Sequence, residues 1–121
     1  MPKTALVVDD STSMRQMVAF TMKEAGFAVL EGSNGEEALK RLEGQKVELI
    51  ITDLNMPTMD GLTLIRQIRA QPAYKFTPIL MLTTESQEAK KKEGKAAGAT
   101  GWIVKPFNPQ QLLQVVAKIV P

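Results

Sequence analysis

The chain has no cysteine and no histidine among its 121 residues. Without cysteine there is no disulfide, no thiolate nucleophile and no zinc–sulfur site, a composition compatible with a reducing compartment. The absence of histidine excludes more. It removes Ser-His-Asp catalysis, an imidazole general base and the commonest transition-metal ligand. Carboxylates, hydroxyls, lysines and backbone remain, a set suited to a hard cation such as Mg²⁺ and to phosphate. Strong charge of one sign is also missing. The formal balance of +2 implies neither a nucleic-acid nor a membrane partner. Nor is there a long apolar run. Met1-Pro2-Lys3-Thr4 leads straight into Ala5-Leu6-Val7-Val8 and two aspartates, too short for a signal-peptide core or a membrane span. A cytoplasmic protein is expected.

What the chain does have is a series of short apolar runs that end in polar residues. The most informative is Leu49-Ile50-Ile51-Thr52-Asp53, followed by Leu54-Asn55-Met56-Pro57. A continuous apolar run bounded by turn signals reads as a buried, parallel strand. It places the Asp53 carboxylate at a strand's carboxyl end, where open α/β sheets bind ligands. Strands are predicted at Ala5–Val8, Phe27–Leu30, Val47–Thr52, Ile79–Leu82 and Gly101–Val104, the second nearer a sheet edge because it runs into Glu31 and Gly32.

Helices are predicted between them. Thr12 caps Ser13–Ala25, whose inner face is Met14, Met17, Val18, Met22 and Ala25, with Gly26 at C′. Asn34 and Glu37 form a capping-box variant opening a helix to Glu43, with Ala38, Leu39 and Leu42 inward. Asp60 caps Leu62–Ala70 after a loop from Met56 to Gly61, and Pro72–Thr77 is a connection. The helix Gln87–Ala97 has only Ala89, Ala96 and Ala97 to bury, and Gly94 costs it about 1 kcal/mol relative to Ala, so its docking should be the weakest. Asn108, Pro109 and Gln111 open the last helix, with Leu112, Leu113, Val116, Ala117 and Val120 inward. Five strand–helix units imply one α/β domain over 1–121, a parallel sheet covered on both faces by right-handed crossovers.

In such a sheet all the carboxyl ends lie on one edge. That edge would carry Asp9-Asp10, Asp53, Thr83-Thr84 and Lys105. Ends of neighbouring strands are about 5 Å apart, so three carboxylates would share one small site if the first and third strands are adjacent. Two carboxylates about 4 Å apart repel by roughly 4 kcal/mol at an effective dielectric near 20. Such a cluster needs a cation or a shared proton. Mg²⁺ with its oxygen ligands answers this, and Lys105 supplies a second, fixed positive charge. The set suits phosphoryl transfer to an aspartate, with a metal, a lysine and a hydroxyl on the phosphoryl oxygens. Each residue alone has a plainer reading: Asp9-Asp10 as an acidic helix start, Lys105 as a solvated loop lysine, Thr83 as a turn residue.

Val8-Asp9-Asp10, Asp53-Leu54-Asn55-Met56-Pro57 with Asp60-Gly61, Leu82-Thr83 and Lys105-Pro106-Phe107 together resemble the signature set of response-regulator receiver domains, in order and spacing, over the whole chain. The resemblance implies a flavodoxin-like (βα)5 fold with strand order 2-1-3-4-5, which places the first and third strands side by side. It implies that Asp53 accepts a phosphoryl group from a histidine of a partner kinase. Asp10, Asp53 and the Asn55 carbonyl would bind Mg²⁺ directly, with Asp9 acting largely through water. Thr83 would hydrogen-bond the phosphoryl group and Lys105 would pair with it. The Lys105-Pro106 bond is cis in such proteins, although Pro106 alone reads equally as a helix-initiating loop proline.

No output domain is expected beyond the last helix, so output is expected through a surface, by resemblance the face of the fourth helix, fifth strand and fifth helix. Here that includes Lys90, Lys91, Lys92, Lys95, Trp102 and Gln111. Successive lysines fan around a helix at about 100° each, so the face reads equally as a solvated one. Asn55 and Glu85, two places after Asp53 and Thr83, match the pair that flanks the hydrolytic water in chemotaxis regulators, and go with short-lived phosphorylation. Trp102 takes the switch position where the family usually has Tyr or Phe, and Thr84 stands where a smaller residue is common, which puts rotation of residue 102 in doubt. The implied partners are a chemotaxis-type sensor histidine kinase and a downstream target such as a flagellar motor switch component, and the scheme admits a phosphatase. A monomeric signalling switch that turns over only its own phosphoryl group is expected. Three competing readings share features with it. A haloacid-dehalogenase-like aspartyl phosphatase wants a general acid where Asn55 stands. An FMN binder would present its phosphate to Asp9 and Asp10. A receiver-like module without phosphorylation has no use for the intact acidic, hydroxyl and lysine set.

Overall fold

The computed structural model describes residues 3–84 and 88–120. Strands β1 (Thr4–Val8), β2 (Ala28–Gly32), β3 (Leu49–Asp53), β4 (Ile79–Thr83) and β5 (Gly101–Val104) alternate with helices α1 (Thr12–Glu24), α2 (Gly35–Leu42), α3 (Gly61–Arg69), α4 (Glu88–Ala97) and α5 (Pro109–Ile119). All strand pairs are parallel and the order is β2-β1-β3-β4-β5. The chain therefore has the flavodoxin-like arrangement.

β3 and β4 are buried at every residue, because helices cover both faces of the sheet. The pleat sorts their side chains into two cores. Leu6, Val8, Ile50, Ile79 and Met81 pack with Ala38, Leu42, Leu64, Ile65 and Ile68 on the α2–α3 side. Ala5, Val7, Leu49, Ile51, Leu80 and Leu82 pack with Val18, Met22, Leu112 and Val116 on the α1–α5 side. Among the described residues no helix is long and apolar enough to cross a membrane.

Several element boundaries differ from the sequence reading. The cap of α1 is Ser11, whose hydroxyl accepts from the Met14 amide at 3.3 Å, so the helix starts at Thr12 and Ala25 is an exposed cap. Gly26 does carry the left-handed φ of +97° that the turn out of α1 needs. β2 begins at Ala28, since the Phe27 amide still closes α1 by donating to the Met22 carbonyl. β3 starts at Leu49 and includes Asp53. Glu37 accepts from the amide and hydroxyl of Ser33 and not from Asn34, which leaves Asn34 a simple cap.

α4 departs most. Ala89 and Ala96 are exposed and Ala97 is buried, together with Gly94. A Cβ on Gly94 would come within 2.6 Å of the Met81 methyl, so the glycine lets α4 close on β4. On α5, Leu113 and Ala117 are exposed and Leu112 and Val116 carry the docking.

Candidate functional site

Strand order reverses at β1, and the crevice at that reversal lies beyond the carboxyl ends of β1 and β3. Register pairs Val8 with Thr52, Asp53 with Leu82 and Thr83 with Val104, so Asp9-Asp10, Asp53, Thr83 and Lys105 emerge side by side. Asp9, Asp10 and Asp53 each offer a carboxylate oxygen within 4.8 Å of the others, with Asp9 and Asp53 buried and Asp10 exposed. The Lys105 ammonium donates to Asp53 Oδ1 at 2.9 Å and lies 3.4 Å from Asp9 Oδ2. Thr83 is fully buried beside them.

Burial pushes the Asp53 carboxyl above the ordinary aspartate range. The Lys105 hydrogen bond opposes this, and the charges of Asp9 and Asp10 add to it. Lys105 moves upward too. Burial alone would lower it, but the hydrogen bond and charge of Asp53, reinforced by Asp9, outweigh burial. One contact thus keeps the lysine charged while leaving the carboxylate in a crowded, desolvated place. A hard divalent cation suits that donor set, because it would bring carboxylate oxygens together and remove their repulsion. Asp9 also performs the plainer role, since its Oδ1 accepts from the Ser11 amide at 2.9 Å and shapes the entry to α1.

The loop after β3 completes the site. Gly61 must be glycine, because a Cβ there would lie 2.4 Å from the Asp53 carbonyl oxygen and 2.8 Å from Leu54 Cα. Asp60 Oδ1 accepts from the Thr63 amide at 2.8 Å, and that bond lowers its pKa. Asn55 is exposed, and its Nδ2 donates to Thr84 Oγ1 at 3.4 Å. The Lys105-Pro106 peptide is cis. Glu85 lies outside the described residues.

The α4–β5–α5 face brings together part of the predicted set. Lys91 Nζ stands 5.6 Å from the centroid of the half-buried Trp102 ring. Lys90 pairs with Glu93 at 3.5 Å, whereas Lys92 and Lys95 are exposed. Gln111 is engaged in the α5 capping box with Asn108. Sequence reasoning passed over Arg15, whose Nη1 donates to the Asp9 carbonyl at 2.9 Å and whose Nε pairs with Glu31 at 3.3 Å. Its position one turn into α1, beside an acidic pair, was the available signal.

Known proteins resemble this chain over most of its length. The response regulator receiver domain profile matches residues 5–117. The chain is 43% identical to chemotaxis protein CheY1 of Helicobacter pylori over 109 residues, 88% of each chain. It is 41% identical to the CheY homolog of Campylobacter jejuni over 117 residues, 95% of this chain and 90% of that one. The structure of chemotaxis response regulator CheY4 of Vibrio cholerae superposes with a TM-score of 0.95 at 49% identity, covering 99% of this chain and 100% of that one.

Proposed function

The chain belongs to the response regulator receiver domain family and is a CheY-like chemotaxis regulator, and from that premise we propose that Asp53 is its phosphoacceptor. The observation that carries this reading is the Asp53 carboxylate at the end of β3, held at 2.9 Å by Lys105 between two further carboxylates. In the proposed transfer, an Asp53 oxygen attacks the phosphorus of a phosphohistidine on a partner kinase. The P–N bond breaks, its electron pair returns to the imidazole, and an acyl phosphate forms. Lys105 moves from carboxylate to phosphoryl oxygen and keeps the new charge paired. The Thr83 hydroxyl, at the end of the neighbouring strand, is assigned to another phosphoryl oxygen.

Asp10, Asp53 and the Asn55 carbonyl would hold Mg²⁺ directly, and Asp9 through water. When bound, the ion would neutralise charge on the transferring oxygens. Asn55 and Glu85 are assigned to flank the water that later hydrolyses the acyl phosphate. Nothing at position 55 can donate a proton as the acid of an aspartyl phosphatase, which disfavours that alternative. The chain would act as a cytoplasmic switch and not as an enzyme on other substrates. Phosphorylation would bias Thr83, α4 and Trp102 toward a state that a downstream target distinguishes by differential contacts.

The test is mass spectrometry after incubation with Mg²⁺ and a small acyl-phosphate donor. One phosphoryl group on wild type, none on Asp53→Asn and none with the ion chelated are expected. Wild type that gains no phosphoryl group at Asp53 overturns the reading. Beryllium fluoride with Mg²⁺, followed through Trp102 fluorescence, tests the switch separately.

A further inference from the structure

The loop that offers the Asn55 carbonyl is tied by backbone hydrogen bonds at its ends and, in its first half, by Met56, which is buried in the α2–α3 core. The Leu54 amide donates to the Leu82 carbonyl at 2.7 Å, and the Gly61 amide returns to the Leu54 carbonyl at 2.9 Å. Between them the chain makes a strained turn. The Met59 amide donates to the Pro57 carbonyl at 2.8 Å, and the central Thr58 has φ +73°. A β-branched residue at such a φ in a three-residue turn is costly and persists only where its surroundings over-determine it. Pro57 and Thr58 are exposed and so do not supply that constraint.

Met59 does. Its side chain packs on the α2–α3 core and lies directly over Gly35 at the first turn of α2. A Cβ on Gly35 would fall 2.5 Å from Met59 Sδ, 2.9 Å from its Cγ and 3.0 Å from its Cβ. Gly35 is helical, so alanine would suit its backbone better. Only the space taken by Met59 favours glycine. The seat itself is rigid. Asn34 accepts from the Glu37 amide at 2.8 Å, Glu37 holds Ser33, and Gly32 lets Ala38 approach to about 3.2 Å of where its own Cβ would be.

We propose that Met59 seated on Gly35 is a positioning device for the metal site: it clamps the Asn55–Asp60 loop to α2 and holds the Asn55 carbonyl where the ion needs it. The proposal rests on the Mg²⁺ reading above. Positioning contacts behind a metal ligand are worth roughly 10–100-fold in affinity.

The test is calorimetric titration of Mg²⁺ into wild type, Gly35→Ala, Met59→Ala and the double variant, with circular dichroism to follow the fold. Gly35→Ala is expected to weaken Mg²⁺ binding about tenfold with helix content unchanged. Met59→Ala, which adds no bulk, is expected to weaken it comparably. The double variant should resemble Met59→Ala alone, because the added methyl then has little left to displace. Both single variants binding Mg²⁺ as wild type does, even with a lower melting temperature, would reduce the contact to packing and overturn the proposal. So would an equal Gly35→Ala effect in both backgrounds. Wild type that fails to bind Mg²⁺ removes the metal reading first and the clamp with it. That result is distinct from intact wild-type binding with unchanged variants.

Discussion

At the amino end of the sheet, the Tyr74 hydroxyl donates to the carbonyls of Leu42 and Gln45. Arg69 there donates to the carbonyls of Tyr74 and Gly98, and the Glu48 carboxylate accepts from the Thr4 amide at 2.6 Å. At the carboxyl end, three carboxylates crowd one lysine, and the adjoining loop holds a threonine at positive φ. One end joins donors to acceptors and closes the fold. The other gathers like charges that a closed fold alone would not choose. On the proposed reading the difference locates the switch: affinity for an ion and a phosphoryl group would be stored where native stability is given up.

Perturbing each end should therefore move different observables. The largest effect expected is from the ion. Mg²⁺ at a hundredfold its dissociation constant should stabilise the protein by about 2.7 kcal/mol, and thermal denaturation of Asp53→Asn should show most of that gain gone. Next comes Tyr74→Phe, which takes the hydroxyl donor from the Gln45 carbonyl and leaves the Leu42 carbonyl with the Gln45 amide alone. It should cost roughly 1–3 kcal/mol in urea unfolding while phosphoryl acceptance by the folded fraction is unchanged. Loss of acceptance would mean the two ends are coupled. Asp60→Ala removes the α3 cap and should cost about 1 kcal/mol.

The smallest effects are two opposed pH slopes, measured with chelator present. The folded pKa of Asp53 is raised above the ordinary value of 3.8. Its contribution to stability is full below that value and is lost as pH rises through the folded pKa. The folded pKa of Asp60 is lowered, so its contribution is present above 3.8 and is lost as pH falls through the folded pKa. Asp53→Asn should gain on wild type toward neutral pH, and Asp60→Asn should lose. Matching slopes would undo the comparison.

Much of this was legible in the sequence, for identifiable reasons. Buried parallel strands need continuous apolar runs, so Leu49–Ile51 and Ile79–Leu82 announced themselves. The caps Asn34, Asp60 and Asn108 act within three residues, and so do their signals. At Ser11, three consecutive hydroxyl residues left the register of α1 open by one. Less was legible where shape or distance in sequence decides. Gly94 buries α4 by having no side chain, which a search for apolar residues passes over. Arg15 with the Asp9 carbonyl, Tyr74 with Leu42, and Met59 on Gly35 are meetings of elements whose separations no local pattern encodes. The acidic pocket was readable because parallel strand ends share an edge and because the family resemblance set the first and third strands side by side.

The Lys105 bridge carries a further consequence. Three carboxylates and one ammonium leave the pocket with a deficit of two positive charges. A dication closes that deficit, whereas a monovalent ion of similar size leaves half of it open. Valence, as well as the hardness of the ligands, would then discriminate between the ions of a salty solution. The lysine sets that arithmetic, and replacing it by a neutral residue would retune the pocket toward higher charge.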